Sequence, residues 1–374
     1  MAITLRQAEN RGQLKTFIRF PVDLYRGNPY YVPSLAFDDL NTLDPAKNPA
    51  FEFCESVCFM AERDGRIVGR IAGIINRRYI EKWGKKYARF GWLDFVDDYD
   101  VAEALTSAVE AWARERGMEG VHGPLGFTDM DREGLLVEGF DEVATMATNY
   151  NHSYYGDYLE RLGYAKDCDW VEYRITVPKE IPEKVCRITE LLAKRTGVRL
   201  YDWKSRKELA GKFGAQLFAL LDEAYAKLYG TTPLSERQVA VYIDQYLGFV
   251  DPRFTKVLVD DKGDLIGFGI TMPSLSRALQ ACRGRILPFG WFHLYLALRR
   301  PKILDLYLVA VKAEYQSRGV VAILMSAVNQ SAIDAGIKFA ESNPELEGNH
   351  AVQSLWKDTD RVMHKRRRVY LKSL

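Results

Sequence analysis

Cysteine is scarce in this chain of 374 residues, and long apolar segments are missing from it. The five cysteines are an odd number, and only Cys54 and Cys58 lie close together, so the sequence predicts neither a disulfide framework nor a four-ligand zinc site. No stretch reaches the roughly 18 apolar residues that a spanning helix needs, and the first residues lack the apolar segment of a secretory signal. We therefore expect a cytoplasmic protein with reduced thiols and no bound metal.

An excess of either charge is also absent. Lys and Arg number 52 against 50 Asp and Glu, which leaves a formal net charge of +2. This balance gives no reason to expect a nucleic-acid partner or an acidic tail. The apolar fraction of 47% is typical of folded proteins, and the length of 374 residues favours two domains.

What the chain does contain is a weak internal repeat. Residues 64–75 read DGRIVGRIAGII, and residues 261–272 read DKGDLIGFGITM. In each copy a turn precedes a strand whose glycine, Gly69 or Gly267, follows two apolar residues. Turn residues before an apolar strand are typical of an antiparallel hairpin. The sequence therefore predicts two related hairpins.

The segments after each hairpin follow the same order. A strand, a helix and a short strand are predicted over 90–95, 101–116 and 120–123 in the first copy, and over 303–311, 320–335 and 337–341 in the second. Residues 183–247 are predicted to be helical. We therefore predict a mixed α/β, α+β-like fold with two units of one type, over residues 1–180 and 181–374.

The loop after the second long strand carries the most specific motif. Val311 ends the strand, Gln316 and Arg318 follow, and Gly319 directly precedes the predicted helix. Unpaired N–H groups at a helix N-terminus attract anions, and glycine lets an anion approach the backbone closely. This segment resembles the pyrophosphate loop of the GNAT acyltransferases. The repeated organisation resembles two-copy GNAT-like proteins over nearly the whole chain.

The resemblance implies the architecture and the co-substrate. Each unit is expected to have a mostly antiparallel central sheet flanked by helices, and the unit at 181–374 is expected to bind acetyl-CoA or a longer acyl-CoA. Val321 stands where Gly or Ala is usual in the family. The residues implied as contacts of the coenzyme are Val309, Val311, Gln316, Ser317, Arg318, Gly319, Val320, Val321 and Asn349.

The first copy of the loop lacks these features. It contains no glycine and carries three carboxylates, Asp97, Asp98 and Asp100, which repel an anion. We therefore expect the unit at 1–180 to be degenerate, with a structural role or with one wall of an acceptor cleft. One coenzyme site per chain follows.

Acyl transfer to an amine needs a base, donors for the thioester carbonyl and an acid for the leaving thiolate. Backbone N–H groups from Val309 to Val311 are expected to be the donors. The candidate bases are Asp305 and Glu341, and Glu345 and Glu347 near Asn349 are weaker candidates. In the family a tyrosine seven residues after the Asn349 position serves as the acid, but Trp356 stands there and has no titratable proton.

The distribution of cations suggests the kind of acceptor. Residues 265–304 contain six basic residues and no acidic one, and they surround an apolar, aromatic segment at 286–298. Residues 361–372 add six more cations. Such a combination suits a membrane surface or a lipid-like acceptor. We therefore expect peripheral contact with the inner membrane face through 283–302 and 361–372.

The sequence thus predicts an acyl-CoA-dependent N-acyltransferase that moves an acetyl or longer acyl group to a small or lipid-like amine. Three alternatives stay open at this point. They are a non-catalytic acyl-CoA-binding or scaffold protein, a Fem-like aminoacyl transferase, and a membrane-surface interaction protein without a small ligand.

Overall fold

Both repeated segments form antiparallel hairpins in the computed structural model, which describes residues 2–247 and 250–374. Asp64 and Gly65 turn the first hairpin with positive φ angles of 52° and 73°. A Cβ atom on Gly69 would lie 2.7 Å from Leu105 Cδ1 and 2.9 Å from Val101 Cγ1. Only glycine therefore lets the following helix pack this closely on the strand.

The strands alternate with helices along both halves of the chain. The strands are β1 (Thr4–Gln7), β2 (Cys54–Arg63), β3 (Arg66–Asn76), β4 (Tyr87–Phe95), β5 (Gly120–Gly123), β6 (Leu135–Glu138), β7 (Ala165–Thr176), β8 (Arg199–Leu200), β9 (Lys256–Val259), β10 (Leu265–Pro273), β11 (Ile303–Val311), β12 (Phe339–Ser342), β13 (Glu345–Leu346) and β14 (Arg361–Ser373). The helices are α1 (Arg11–Leu24), α2 (Ala36–Thr42), α3 (Arg77–Trp83), α4 (Tyr99–Glu115), α5 (Tyr154–Arg161), α6 (Glu183–Thr196), α7 (Arg206–Tyr225), α8 (Glu236–Leu247), α9 (Ser276–Cys282), α10 (Gly290–Arg299), α11 (Ala313–Gln316), α12 (Val320–Asp334) and α13 (His350–Gln353).

All these strands belong to one continuous sheet. Its main order is β1–β2–β3–β4–β5–β14–β7–β12–β11–β10–β9–β8, with β13 beside β7 and β6 beside β14. The pairs β4–β5 and β11–β12 are parallel, and the other pairs are antiparallel. The predicted mixed α/β fold with a mostly antiparallel sheet flanked by helices is confirmed.

The predicted elements agree closely with the observed ones. Strands β5 and β11 have the predicted bounds, and α4 and α12 differ from theirs by one or two residues. The short strand β12 begins two residues later than predicted, and the helical region at 183–247 is interrupted by β8. Within the described residues, no helix combines the length and the apolar character that crossing a bilayer requires.

Strands β7 and β14 join the two halves. β14 lies between β5 and β7 and pairs with β7 from Arg361↔Ile175 to Leu371↔Ala165. The other edge of β7 pairs with β12 of the second half. Each half therefore completes its sheet with a strand from the other half. The boundary near residue 180 stays a prediction.

A fully buried ion cluster fixes the register of this pair. Glu172 of β7 and Arg367 of β14 are 0% exposed, and Lys365 is 1% exposed. Lys365 Nζ lies 2.9 Å from Glu172 Oε2, and Arg367 Nε pairs with Glu172 Oε1. Although burial raises the pKa of Glu172, the two cations together lower it to about 2. Glu172 is therefore ionised at neutral pH.

The ion pairs of β14 argue against the expected membrane contact through residues 361–372. The cations of 361–372 lie within the sheet, and most of them neutralise carboxylates there. Arg368 Nε lies 2.9 Å from Asp169, and Lys372 Nζ lies 2.8 Å from Glu110. A sequence shows such cations but not their partners from distant segments. Residues 361–372 therefore serve the fold, and only 283–302 remains as a candidate membrane contact.

Replacement of Glu172 by Gln tests the cluster. The change leaves two buried cations without their counter-charge, so we expect a loss of about 3–5 kcal/mol in unfolding free energy. Urea denaturation at pH 7 measures it. Glu183→Gln removes a pair on the surface of α6, where side chains are 72–79% exposed, and should cost less than about 1 kcal/mol. Equal effects of the two changes would contradict the assigned role of Glu172.

Candidate active site

The two parallel strands of the second half separate partway along their length. β11 and β12 pair from Ile303↔Phe339 to Leu306↔Ser342. Asn343 N–H still donates to Leu306 O at 3.2 Å, but residues 345–346 pair with β7 instead. A wedge therefore opens between residues 307–311 and 343–346. It is called the strand fork below.

The peptide groups of Val309 and Val311 point into the strand fork. Lys312 N–H donates to Ile266 O of β10 at 2.9 Å, and peptide groups alternate in direction along a strand. The Val309 carbonyl accepts from the Tyr225 hydroxyl at 3.4 Å, and the Val311 carbonyl accepts from Gln316 Nε2 at 2.9 Å. The N–H groups of both valines point to the same side. They are suitably directed to donate to a carbonyl oxygen in the fork.

The predicted anion loop continues directly from this strand. Gly319 has a φ of 73° and precedes α12, whose first turn receives no hydrogen bond from a capping side chain. The N–H groups in the first turn of this 15-residue helix are thus directed at the loop. Val321 packs against the core cluster that contains Leu324 and does not block the loop. Ser317 and Arg318 are exposed beside it.

The corresponding sites in the first half are filled by side chains of the protein itself. Asp98 caps α4 and accepts from the N–H groups of Asp100 and Val101. The Tyr155 hydroxyl accepts from Phe95 N–H at 2.7 Å, at the end of the strand that corresponds to β11. The N-terminus of α4, which corresponds to that of α12, is therefore already capped, which supports the expectation that the first half is degenerate.

A cavity of about 170 Å³ lies beside the loop of the second half. Val311, Ala313 and Gln316 line one side, and Glu223 and Lys227 of the α7 region line the other. Lys227 is exposed and places a cation across this cavity from Val311 and Gln316. The sequence did not indicate a role for Lys227, because nothing in its local pattern links it to a loop about 90 residues further along the chain.

Two of the candidate bases are neighbours in the sheet. Asp305 and Glu341 lie opposite each other in the β11–β12 pair, and their exposures are 0% and 7%. Burial raises the pKa of Asp305 to about 7. Burial also acts to raise the pKa of Glu341, but His364, 2.7 Å away, and Lys365 lower it overall. Asp305 is therefore the carboxylate that can exchange a proton near neutral pH.

Trp356 holds a second carboxyl group with a raised pKa. Its indole Nε1 donates to Glu345 Oε1 at 2.7 Å, and Glu345 Oε2 is buried without a partner. Burial raises the pKa of Glu345 to about 7. Trp356 packs with Leu304 and the α12 side of the sheet, whereas Asp305, next to Leu304, points to the opposite side. The two titratable carboxyl groups therefore lie on opposite faces of the strand fork.

The remaining candidates lie further from this centre. Glu347 is 47% exposed and pairs with Lys166 at 3.0 Å and with Arg366. Its N–H bonds to Asp169 O, five residues along β7 from the partner of Glu341, which corresponds to about 17 Å. Asn349 caps α13 by accepting from Val352 N–H at 3.4 Å.

The segment at 283–302 presents an aromatic surface to solvent, called the α10 surface below. Leu279, Leu294 and Leu298 pack α9 and α10 against the first half of the chain. On the outside, Leu287 and Phe289 are about 75% exposed. The other large apolar side chains exposed there are Trp291, Phe292, Tyr295 and Leu296. The flanking exposed cations are Arg283, Arg285, Arg299, Arg300 and Lys302.

Solved structures of tandem GNAT proteins share this fold. A tandem GNAT protein from the clavulanic acid biosynthesis pathway has a TM-score of 0.56 at 13% identity, over 100% of this chain and 98% of that chain. A GCN5-related N-acetyltransferase from Sphaerobacter thermophilus has a TM-score of 0.54 at 13% identity, over 99% of this chain and 95% of that chain. The chain therefore has the tandem GNAT fold, as the resemblance predicted.

Two known proteins are similar in sequence over nearly their whole lengths. Protein YghO of Escherichia coli K12 is 28% identical over 379 residues, which cover 98% of this chain and 94% of that protein. Bacterial ceramide synthase of Caulobacter vibrioides is 28% identical over 375 residues, which cover 97% of this chain and 95% of that protein. The chain matches no protein-family model.

Proposed function

We propose that this chain, which has the tandem GNAT fold, is an acyl-CoA-dependent N-acyltransferase with its active site in the strand fork. The observation that carries the proposal is that the strand fork and the anion loop lie along the same strand, β11. The N–H groups of Val309 and Val311 point into the fork, and the uncapped N-terminus of α12 lies at the end of the same strand. An acyl thioester bound with its pyrophosphate at the loop would extend along β11 into the fork.

We assign the backbone and the side chains of the loop to different contacts with the coenzyme. The N–H groups of Gly319, Val320 and Val321 are proposed to hold the pyrophosphate, and Gln316, Ser317 and Arg318 flank it. Lys227 adds a cation across the cavity. Asn349 is proposed to act indirectly, since its side chain already caps α13.

The acceptor is proposed to be a lipid-like amine. A ceramide is the amide of a fatty acid and a long-chain amino alcohol, so the name of the Caulobacter relative supports amide formation on such an acceptor. The α10 surface supports the same conclusion, because exposed aromatic side chains between cations suit an anionic bilayer, where such an acceptor resides. We therefore propose a peripheral position at the inner membrane face.

The chemistry needs two proton transfers in opposite directions. The acceptor reacts as the neutral amine, after its ammonium form has lost a proton to solvent. The amine nitrogen bonds to the thioester carbon and gives a second proton to Asp305, while the Val309 and Val311 N–H groups stabilise the carbonyl oxygen. The carbon–sulfur bond then breaks, and Glu345 gives its proton to the thiolate. Burial and the neighbouring carboxylate of Glu341 raise the pKa of Asp305 to about 7, so both of its charge states are populated near neutral pH. Glu347 is the remaining candidate base, and its ion pairs would have to open for it to act.

A thermal-shift titration with CoA, acetyl-CoA and palmitoyl-CoA tests the coenzyme site. A ligand that binds the folded state stabilises it and so raises the melting temperature. At a ligand concentration of 100 times Kd the added stability is about 2.7 kcal/mol. The double change Arg318→Glu and Lys227→Glu adds repulsion at the loop and should weaken binding at least tenfold. Lys262→Glu, on an exposed turn, should leave it unchanged. No shift of the unmodified protein with any of the three would contradict the proposal.

The pH dependence of kcat tests the two proton carriers. Asp305 must be ionised and Glu345 protonated, so kcat should be maximal near pH 7 and fall on both sides. Asp305→Asn should lower kcat about 10²–10⁴-fold and remove the acidic limb. Glu345→Gln, which keeps an acceptor for Trp356, should remove the alkaline limb. Glu190→Gln on the exposed side of α6 is the control. Limbs that persist in both variants would exclude these roles.

Co-sedimentation with vesicles tests the membrane surface. Binding should increase with the phosphatidylglycerol fraction and decrease with salt, because each cation near the surface contributes about 1 kcal/mol. The double change Trp291→Ser and Phe292→Ser should reduce binding at least tenfold. Leu191→Ser, which removes an apolar side chain that is 66% exposed on α6, should not. Binding that is independent of anionic lipid would contradict the assignment.

A further inference from the structure

A second cavity lies between the two halves of the chain, close to the strand fork. Its volume is about 130 Å³. Lys82 and Asp129 line it from the first half, and Asp222, Tyr225 and Thr232 line it from the second. This volume is enough for several water-sized groups, as the head group of a ligand requires.

Two polar atoms of this cavity have no partner within the described part of the chain. Asp129 Oδ1 and Thr232 Oγ1 are both buried without a hydrogen bond, and Thr232 is 4% exposed. A buried polar atom without a partner has lost its hydrogen bonds to water without replacement, which is unfavourable. The lining therefore has one acceptor and one hydroxyl group that a ligand would satisfy.

The charges of the lining favour a cation. Asp129 and Asp222 contribute two carboxyl groups, and Lys82 contributes one ammonium group. Lys82 Nζ already donates to Thr231 O at 3.0 Å and to Thr231 Oγ1 at 3.1 Å. Asp222 Oδ2 accepts only from a neutral group, Leu234 N–H, at 3.1 Å. Burial raises the pKa of Asp129 and of Asp222, and a bound cation favours their ionised forms. With both carboxyl groups ionised, the lining carries one net negative charge.

Tyr225 connects this cavity with the strand fork. Its ring lines the cavity, and its hydroxyl donates to the Val309 carbonyl at 3.4 Å. Tyr225 packs with Leu308 and the α7 side of the sheet. The cavity thus lies on the side of the fork opposite Glu345 and Trp356, so a ligand there would approach the thioester from the side away from the proposed acid.

We propose that this cavity binds the ammonium and hydroxyl groups of the acceptor, an amino alcohol, between Asp129, Asp222 and Thr232. The inference rests on the proposed function, because it assigns the second substrate of the same site. An alkyl amine carries a positive charge near neutral pH, as the lysine side chain does. Asp129 and Asp222 hold this cation, and Thr232 bonds to the neighbouring hydroxyl group. The first half of the chain thereby contributes one wall of the acceptor site.

Binding of matched eight-carbon probes tests the inference. Melting temperatures of the full chain are measured with 2-aminooctan-1-ol, octylamine and 1-octanol, each with and without CoA. The amino alcohol should bind most tightly, octylamine more weakly, and 1-octanol at least tenfold more weakly than either amine. Equal shifts with octylamine and 1-octanol in the unmodified protein would overturn the inference.

Three variants separate the contributions of the lining. Asp129→Asn with Asp222→Asn should weaken both amines at least tenfold and leave the shift with CoA unchanged. Thr232→Val removes an unpartnered hydroxyl, so the protein should remain folded and lose only its preference for the amino alcohol over octylamine. Asp244→Asn, exposed on α8, is the control. Amine binding that survives the double change overturns the inference.

The coenzyme titration distinguishes this failure from failure of the proposed function. A shift with CoA but no selective shift with the amines would retain the acyltransferase and reject the cavity as its acceptor site. Selective amine binding without any CoA shift would retain the cavity as an amine site and reject the acyltransferase.

Discussion

The pairing of β7 with β14 is the constraint on which the rest of the structure depends. Glu172, Lys365 and Arg367 fix its register in a place that water does not reach. A buried ion cluster contributes little net stability compared with apolar packing, but its wrongly paired alternatives are costly. Slipping β14 by one residue would turn both cations to the other face of the sheet. The cluster therefore selects one alignment of the two halves.

The same register positions the site. Lys365 lies 3.6 Å from Glu341 as well as 2.9 Å from Glu172, and Glu341 faces Asp305 across the parallel pair. The charge state of Asp305 is therefore set partly by a strand that also completes the first half of the molecule. The strand that completes the sheet of the first half therefore also contacts a residue of the proposed site.

The sequence predicted the local features of the fold and of the site, and it missed those that join distant segments. Neighbouring residues were enough to predict strand β11, the glycine before α12 and the acidic first loop. Each of these features depends on interactions between residues close together in the sequence. The return of β14 could not, since Arg367 and Glu172 are 195 residues apart. The cations of 361–372 were consequently assigned to a membrane. The sequence shows that Trp356 replaces the tyrosine usual in the family. It does not show that the Trp356 indole donates a hydrogen bond to Glu345.

The position of β14 also bears on how the protein is made. A ribosome must add more than 360 residues before the strand at Arg361–Ser373 exists, although β5 and β7, which border it, are complete by residue 176. Until then both strands keep unpaired edges, which are sites for aggregation or for holding by a chaperone. The sheet of the first half is therefore synthesised early but closed only after β14 has been made.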